Sequence, residues 1–139
     1  MAYYERLDEV NKELKSTDIK GKKYIEVNQR ILAFWKLFEK GRILTDIIQL
    51  ENGVCTIKAK IYNNEGLEIA NGTAQEKEGS TFINKTSYIE NCETSAIGRA
   101  LGILGIGTTE NIASAEEELN AVINQDREKE ILRNEQKDL

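Results

Sequence analysis

Apolar residues recur along this chain at two different spacings, and each change of spacing predicts a change of element. From Tyr4 to Lys15, Leu7, Val10 and Leu14 share one side of a helix. "STDIKGKK" breaks that pattern at Gly21 and reads as a solvated, mobile loop. In "YIEVNQRILAFWKLFEKG", Val27, Ile31, Phe34 and Phe38 return to helical spacing, and Gly41 ends the segment. Trp35 reads as a core residue of this second helix. Arg30 falls at the edge of its apolar stripe, beside Phe34 and Leu37, where a long stem covers core while its head reaches water.

The spacing then drops to two. "RILTDIIQLE" leads through Asn52-Gly53 into "VCTIKAKIY", and Asn-Gly between β-rich runs is the strongest short hairpin signal. In the second run Cys55, Ile57, Ala59 and Ile61 face one way, while Val54, Thr56, Lys58, Lys60 and Tyr62 face the other. "NNEG" turns into a third strand, "LEIANGTAQEK", where Asn71-Gly72 reads as a bulge. Alternation is poor in the first and third strands.

Helical spacing resumes in "TSYIENCETSAIGRALGILGIG". Ser87 and Glu90 fit a capping box that starts the helix near Tyr88. Ile89, Cys92, Ala96, Ala100 and Ile103 form an apolar face. Asn91, Thr94, Ser95, Gly98 and Gly102 form a second face of small residues, which admits another backbone or a ligand at close range. Arg99 stands at the border between the two. Ser114 and Glu117 fit a second capping box, opening a charged, weakly apolar segment to Leu139.

These elements predict an α+β fold, a β-β-β-α core whose three-stranded antiparallel sheet packs with flanking helices. The core spans 1–113, and 114–139 forms a charged C-terminal helix or tail. Composition narrows the function more by what it lacks. There is no histidine among the 139 residues, which removes the commonest general base and metal ligand. No phosphate-binding GxxxxGK[ST] loop and no GxSxG elbow occurs. No apolar run approaches a membrane span, and "MAYYERLDEVNKELK" is too charged for a signal peptide. Cys55 and Cys92 match no metal spacing, and a reducing cytoplasm is the simplest setting. No catalytic role, cofactor or metal is expected. The net charge of −5 argues against nucleic acid on average, although a local basic groove on an acidic protein still binds phosphate. Lys58 and Lys60 on the polar sheet face, and Lys22 and Lys23 in the first loop, are candidates for such contacts. Each has a plainer reading as an ordinary solvated lysine.

The order of elements, together with "YIEVNQRILAFWKLF", "EIANGTAQEKEG" and "ETSAIGRALGILG", resembles the single-strand annealing proteins of the Rad-fifty-two superfamily and their short bacteriophage Sak-type relatives. The resemblance covers roughly residues 24–107. It implies ATP-independent binding of single-stranded DNA and annealing of complementary strands in phage recombination or repair, by homo-oligomeric rings or spirals in the cytoplasm of a bacterial host. A phage exonuclease or a host single-strand-binding protein is the implied protein partner. On the same resemblance Arg30 and Arg99 contact backbone phosphate, and Lys85 lies near a basic position at the start of the last helix. Where the family often has Lys-Arg, this chain has Gly98-Arg99. Two rivals belong to other classes. One is a non-catalytic phage interaction protein that blocks a host factor or sequesters a nucleotide. The other is a metal-dependent nuclease using Glu90 and Glu93, whose capping and helix-surface positions weigh against it.

Overall fold

The computed structural model describes residues 2–82, 84–108, 113–114 and 133. Its elements run α1 (Tyr3–Glu13), β1 (Thr17–Ile19), β2 (Lys22–Ile25), α2 (Val27–Leu37), β3 (Arg42–Glu51), β4 (Val54–Tyr62), β5 (Glu68–Lys77), α3 (Asn84–Ile103) and β6 (Ala113–Ser114). The α+β expectation holds: β3, β4 and β5 form an antiparallel sheet in that order, packed against helices.

Asn52 and Gly53 turn the β3–β4 hairpin with φ of 54° and 73°. Positive φ at both central residues is the twist-matched hairpin turn that Asn-Gly favours. β4 is the central strand, and its alternation is complete. Cys55, Ile57, Ala59 and Ile61 are buried on the helix side, while Thr56, Lys58, Lys60 and Tyr62 are half-buried on the other. The poor alternation of β3 has a local cause. A bulge between Ile47 and Gln49 inserts Ile48 and restores Leu50 to the side of its partner Cys55. The other irregularity lies between Ile61 and Tyr62, opposite Ala70 and Glu68, and not at Asn71-Gly72, which stays in register with Lys60 and Ala59.

Gly72 serves a different purpose. A Cβ there would stand 2.6 Å from the Ala100 amide nitrogen and 2.9 Å from the Ala96 carbonyl oxygen. The absent side chain lets α3 lie directly on β5, with Ala96 and Ala100 as its flat underside. Phe34 and Leu37 of α2, Ile57 and Ile61 of β4, Leu101 of α3, and Ile106 fill the core between them. Full burial of each such side chain is worth about 1.5–3 kcal/mol. α1 closes the far side: Tyr3 Oη donates to the Leu104 carbonyl at 2.8 Å, and the Arg6 guanidinium donates to the Leu37 carbonyl.

Several sequence expectations are corrected. The "STDIKGKK" stretch is a β1–β2 hairpin, turned by Lys20 and Gly21 at positive φ, with the Gly21 amide donating to Asp18 Oδ1 at 2.9 Å. A three-residue strand is too short to register as alternation. Tyr24 and Ile25 belong to β2, so the second helix starts at Val27. Trp35 is 43% exposed, resting its edge on Phe34. Ile103 is exposed, and Leu101 takes its place in the core. α3 begins a turn earlier than the capping box implied, but Ser87 has non-helical φ/ψ (−134°, 32°), so the regular helix does run from Tyr88. Ser114, read as a helix start, pairs with Ile25 in β6. The remainder of the segment read as a charged helix lies outside the described residues, Arg133 excepted.

Candidate functional site

The two arginines with matching positions on their helical wheels part company in the fold. Arg30 is only 7% exposed, and its Nη1 donates to the Gly98 carbonyl at 3.0 Å. Gly102 and Gly107 leave room for it: a Cβ at Gly102 would meet Arg30 Nη1 at 3.2 Å, and one at Gly107 would meet its Nε at 3.0 Å. Gly98 likewise admits Val27, whose Cγ2 would lie 2.8 Å from an added Cβ. The small-residue face of α3 is therefore the seat of α2, and Arg30 is the polar pin of that joint. Its side chain is buried, whereas the wheel reading sets the head in water and the annealing resemblance sets it against phosphate.

Arg99 is exposed and stands beside Gly72, its Cβ 3.0 Å from where a Gly72 side chain would begin. Gly72 pairs with Ala59, which lies between Lys58 and Lys60; those two pair in turn with Thr73 and Asn71. Arg99, Lys58 and Lys60 thus sit at one level of the sheet, the lysines on its open face and the arginine on the helix side, flanking β5. The open face carries no helix among the described residues. Asp46 is an acidic group set into it beside the lysines, as the register partner of Lys58 and 3.7 Å from Lys60 Nζ.

Lys85 is exposed in the first turn of α3, next to a residue sequence reasoning missed. Asn84 is fully buried. Its Nδ2 donates to Glu76 Oε2 (2.6 Å) and Ser80 Oγ (3.3 Å), its Oδ1 accepts from Asn91, and its carbonyl accepts from the Gly79 amide. Glu78 N–H donates to the Gly53 carbonyl at 2.7 Å, which ties this loop to the β3–β4 turn. Buried polar groups must be satisfied, and Asn84 is satisfied by organising the β5–α3 connection that presents Lys85. Its only sequence signal is a helix-start asparagine in a Gly-Ser-Thr context. Lys22 and Lys23 are exposed on β2, in the separate β1–β2–β6 sheet, and nothing brings them to the level of Lys58, Lys60 and Arg99. Glu93 accepts a hydrogen bond from Thr45 Oγ1 at 2.9 Å, which ties α3 to β3.

The two cysteines, distant in sequence, are neighbours in the core. Cys92 Sγ lies 3.3 Å from the carbonyl oxygens of Cys55 and Ala74. Burial, and then the neighbouring Cys55 thiol, push the Cys92 thiol up to about 12. Neither thiol is exposed, so neither is a ready nucleophile.

A family model, described as Slr1353 N-terminal dsRNA-binding domain-like, matches residues 31–104. The chain belongs to that family. The match begins inside α2, takes in the whole β3–β4–β5 sheet and ends just beyond α3, so it coincides with the helix–sheet–helix unit. No curated protein and no solved structure gives a significant match. Membership in this family overturns the resemblance to the Rad-fifty-two superfamily. The physical reason lies in what carried that resemblance. "ETSAIGRALGILG" records the seating of α3 on Gly72, Val27 and Arg30, and a helix–strands–helix core with close helix packing produces such a pattern without any annealing groove.

The net charge is also local. Residues 1–108 hold 15 Lys/Arg and 15 Asp/Glu, whereas 109–139 hold 4 and 9, so the whole excess of −5 lies beyond the family unit. Among the described residues no helix is long and apolar enough to cross a membrane.

Proposed function

We propose that this chain is a nucleic-acid-binding module whose ligand is double-stranded RNA, gripped through its backbone without covalent chemistry. The family match over the helix–sheet–helix unit carries this reading. Domains of the double-stranded-RNA type recognise the duplex by shape, through phosphates and 2′-hydroxyls over about 16 base pairs, with little sequence preference. That mode needs a rigid α/β frame and a few outward cations more than a strongly basic average. Exposed Lys85 in the first turn of α3, exposed Arg99, and half-buried Lys58 and Lys60 around β5 are the cations of this frame assigned to phosphate. Arg30 is assigned to the frame and not to the ligand.

The second reading is binding and annealing of single-stranded DNA. The open sheet face favours it, since Lys58, Lys60 and Tyr62 there offer charge and a ring to a single strand. Against it, Arg42 already lies 5.0 Å over the Tyr62 ring.

The deciding experiment titrates the full chain against a duplex RNA longer than 16 base pairs, the same sequence as duplex DNA, and each single strand, at two salt concentrations. Duplex RNA is expected to bind best. The Lys58→Ala/Lys60→Ala, Lys85→Ala and Arg99→Ala variants should weaken binding. Each should also flatten the salt dependence by about 0.9 in log–log slope for every duplex phosphate that is no longer neutralised. Preference for single-stranded DNA, with faster pairing of complementary strands, would transfer the assignment to the second reading. No binding to any of these nucleic acids would sink both and leave a protein-interaction role.

A further inference from the structure

β3 is one edge of the sheet and β5 the other. Among the described residues only β4 pairs with β3, so one row of its backbone N–H and C=O groups has no strand partner. It is ten residues long and exposes four large apolar side chains: Leu44, Ile47, Ile48 and Leu50. A long, apolar, unpaired edge invites another strand. Proteins that keep such an edge single blunt it with lysine, proline, inward charge or a bulge. β3 has the bulge at Ile48 but no lysine and no proline, and its one central charge, Asp46, is held by Lys60.

We propose that β3 is the homodimer interface of this protein, pairing antiparallel with β3 of a second copy about a two-fold axis at Asp46. The self-complementarity of the strand identifies the occupant. The bulge places Arg42, Leu44, Asp46, Gln49 and Glu51 on the open face, with Ile43, Thr45, Ile47 and Leu50 on the helix side. Antiparallel pairing centred on Asp46 sets Arg42 opposite Glu51 of the second copy, Ile43 opposite Leu50, Leu44 opposite Gln49 and Thr45 opposite Ile47. Every pair then lies on a single face, as cross-strand neighbours must. A register displaced by one residue would set helix-side residues against open-face ones along the strand. Two Arg42–Glu51 ion pairs close the ends. The helix side gains an apolar seam from the isoleucines and leucines that α3 leaves uncovered.

The cost of this register is that the two Asp46 carboxylates face each other. Each has Lys58 as its register partner and Lys60 Nζ at 3.7 Å, so the open-face lysines of both copies flank the pair. The assembled sheet has six strands, and its open face carries both copies of Lys58 and Lys60. The strand alone supplies this interface, whatever ligand the module binds.

The test is the mass of the full chain in solution, by sedimentation equilibrium at micromolar concentration, with circular dichroism to verify each fold. The unmodified protein is expected at twice the chain mass and Ile47→Lys at the chain mass. Arg42→Glu and Glu51→Arg should each weaken association at least tenfold. The double variant Arg42→Glu/Glu51→Arg restores opposite charges in the same register and should recover the dimer. If Ile47→Lys does not fold, the surface charge reversals and their rescue decide alone. A monomeric parent would overturn the proposal and leave the edge to another segment or partner. So would a closed assembly larger than two, or a dimer indifferent to both reversals.

Discussion

The two edges of the main sheet meet their surroundings in opposite ways. At β5 the helix comes down onto the strand until Ala96 and Ala100 touch Gly72 backbone to backbone. At β3 the same helix reaches only as far as one hydrogen bond, from Thr45 to Glu93, and leaves Ile47 57% and Leu50 46% exposed. α3 is too narrow to cover three strands, and its small residues draw it toward the edge that carries a glycine. Stability is therefore concentrated on the β4–β5 side, and the capacity to bind another strand on the β3 side.

The largest effect expected from breaking this asymmetry is at Gly72. Gly72→Val drives two methyl groups into the α3 backbone, which has no flexible end to yield, and should cost about 3 kcal/mol or more. Ile47→Thr, at the same sheet's other edge, should stay within about 0.5 kcal/mol in the monomer because nothing covers the side chain. Urea denaturation of both variants, in a background that cannot dimerise, measures the contrast. Equal losses would mean that α3 covers the sheet evenly.

A smaller effect is expected from the arginine pair. Arg30→Ala empties a buried site and removes the side-chain bond to the Gly98 carbonyl, for a loss of about 2 kcal/mol. Arg99→Ala should leave the denaturation midpoint almost unchanged and act only on ligand binding. If Arg30→Ala unfolds at the parental midpoint and Arg99→Ala does not, the roles assigned to them are reversed.

The smallest is the alkaline behaviour of the covered side. The Cys92 thiol ionises near 12 in the fold, against an ordinary value of 9.0. Between those values the unfolded chain has lost a proton that the folded chain retains, so stability falls as pH rises from about 9 to about 12. Cys92→Ser, compared with the parent by denaturation across that window, should remove part of the decline. In the parent at mildly alkaline pH, neither cysteine should react with iodoacetamide until denaturant is added; rapid labelling under native conditions would show that the β4–α3 seam opens.

The legible parts were those governed by local chemistry. Asn52-Gly53 specifies its turn because few residues accept positive φ, and the strict alternation of β4 follows from burial on one face only. The bounds of β3 and β4 were readable for the same reason, as was the regular start of α3 at Ser87. The β1–β2 hairpin was hidden because its pattern is too short to measure. Arg30 was misplaced because a helical wheel locates a side chain at a border without telling what lies across it.

Taken alone, the amino-acid order determined the sequence of helix, three antiparallel strands and glycine-bearing helix, since backbone conformation and one-sided burial are encoded residue by residue. Only the tertiary structure decided which glycine met which neighbour. It seated α2 on Gly98 and Gly102 and β5 under Ala96 and Ala100, buried Arg30 while leaving Arg99 in water, and brought the free thiols of Cys55 and Cys92 together. These are contacts between residues distant along the chain. A small side chain announces that something can come close; what comes close depends on how all the elements share one core.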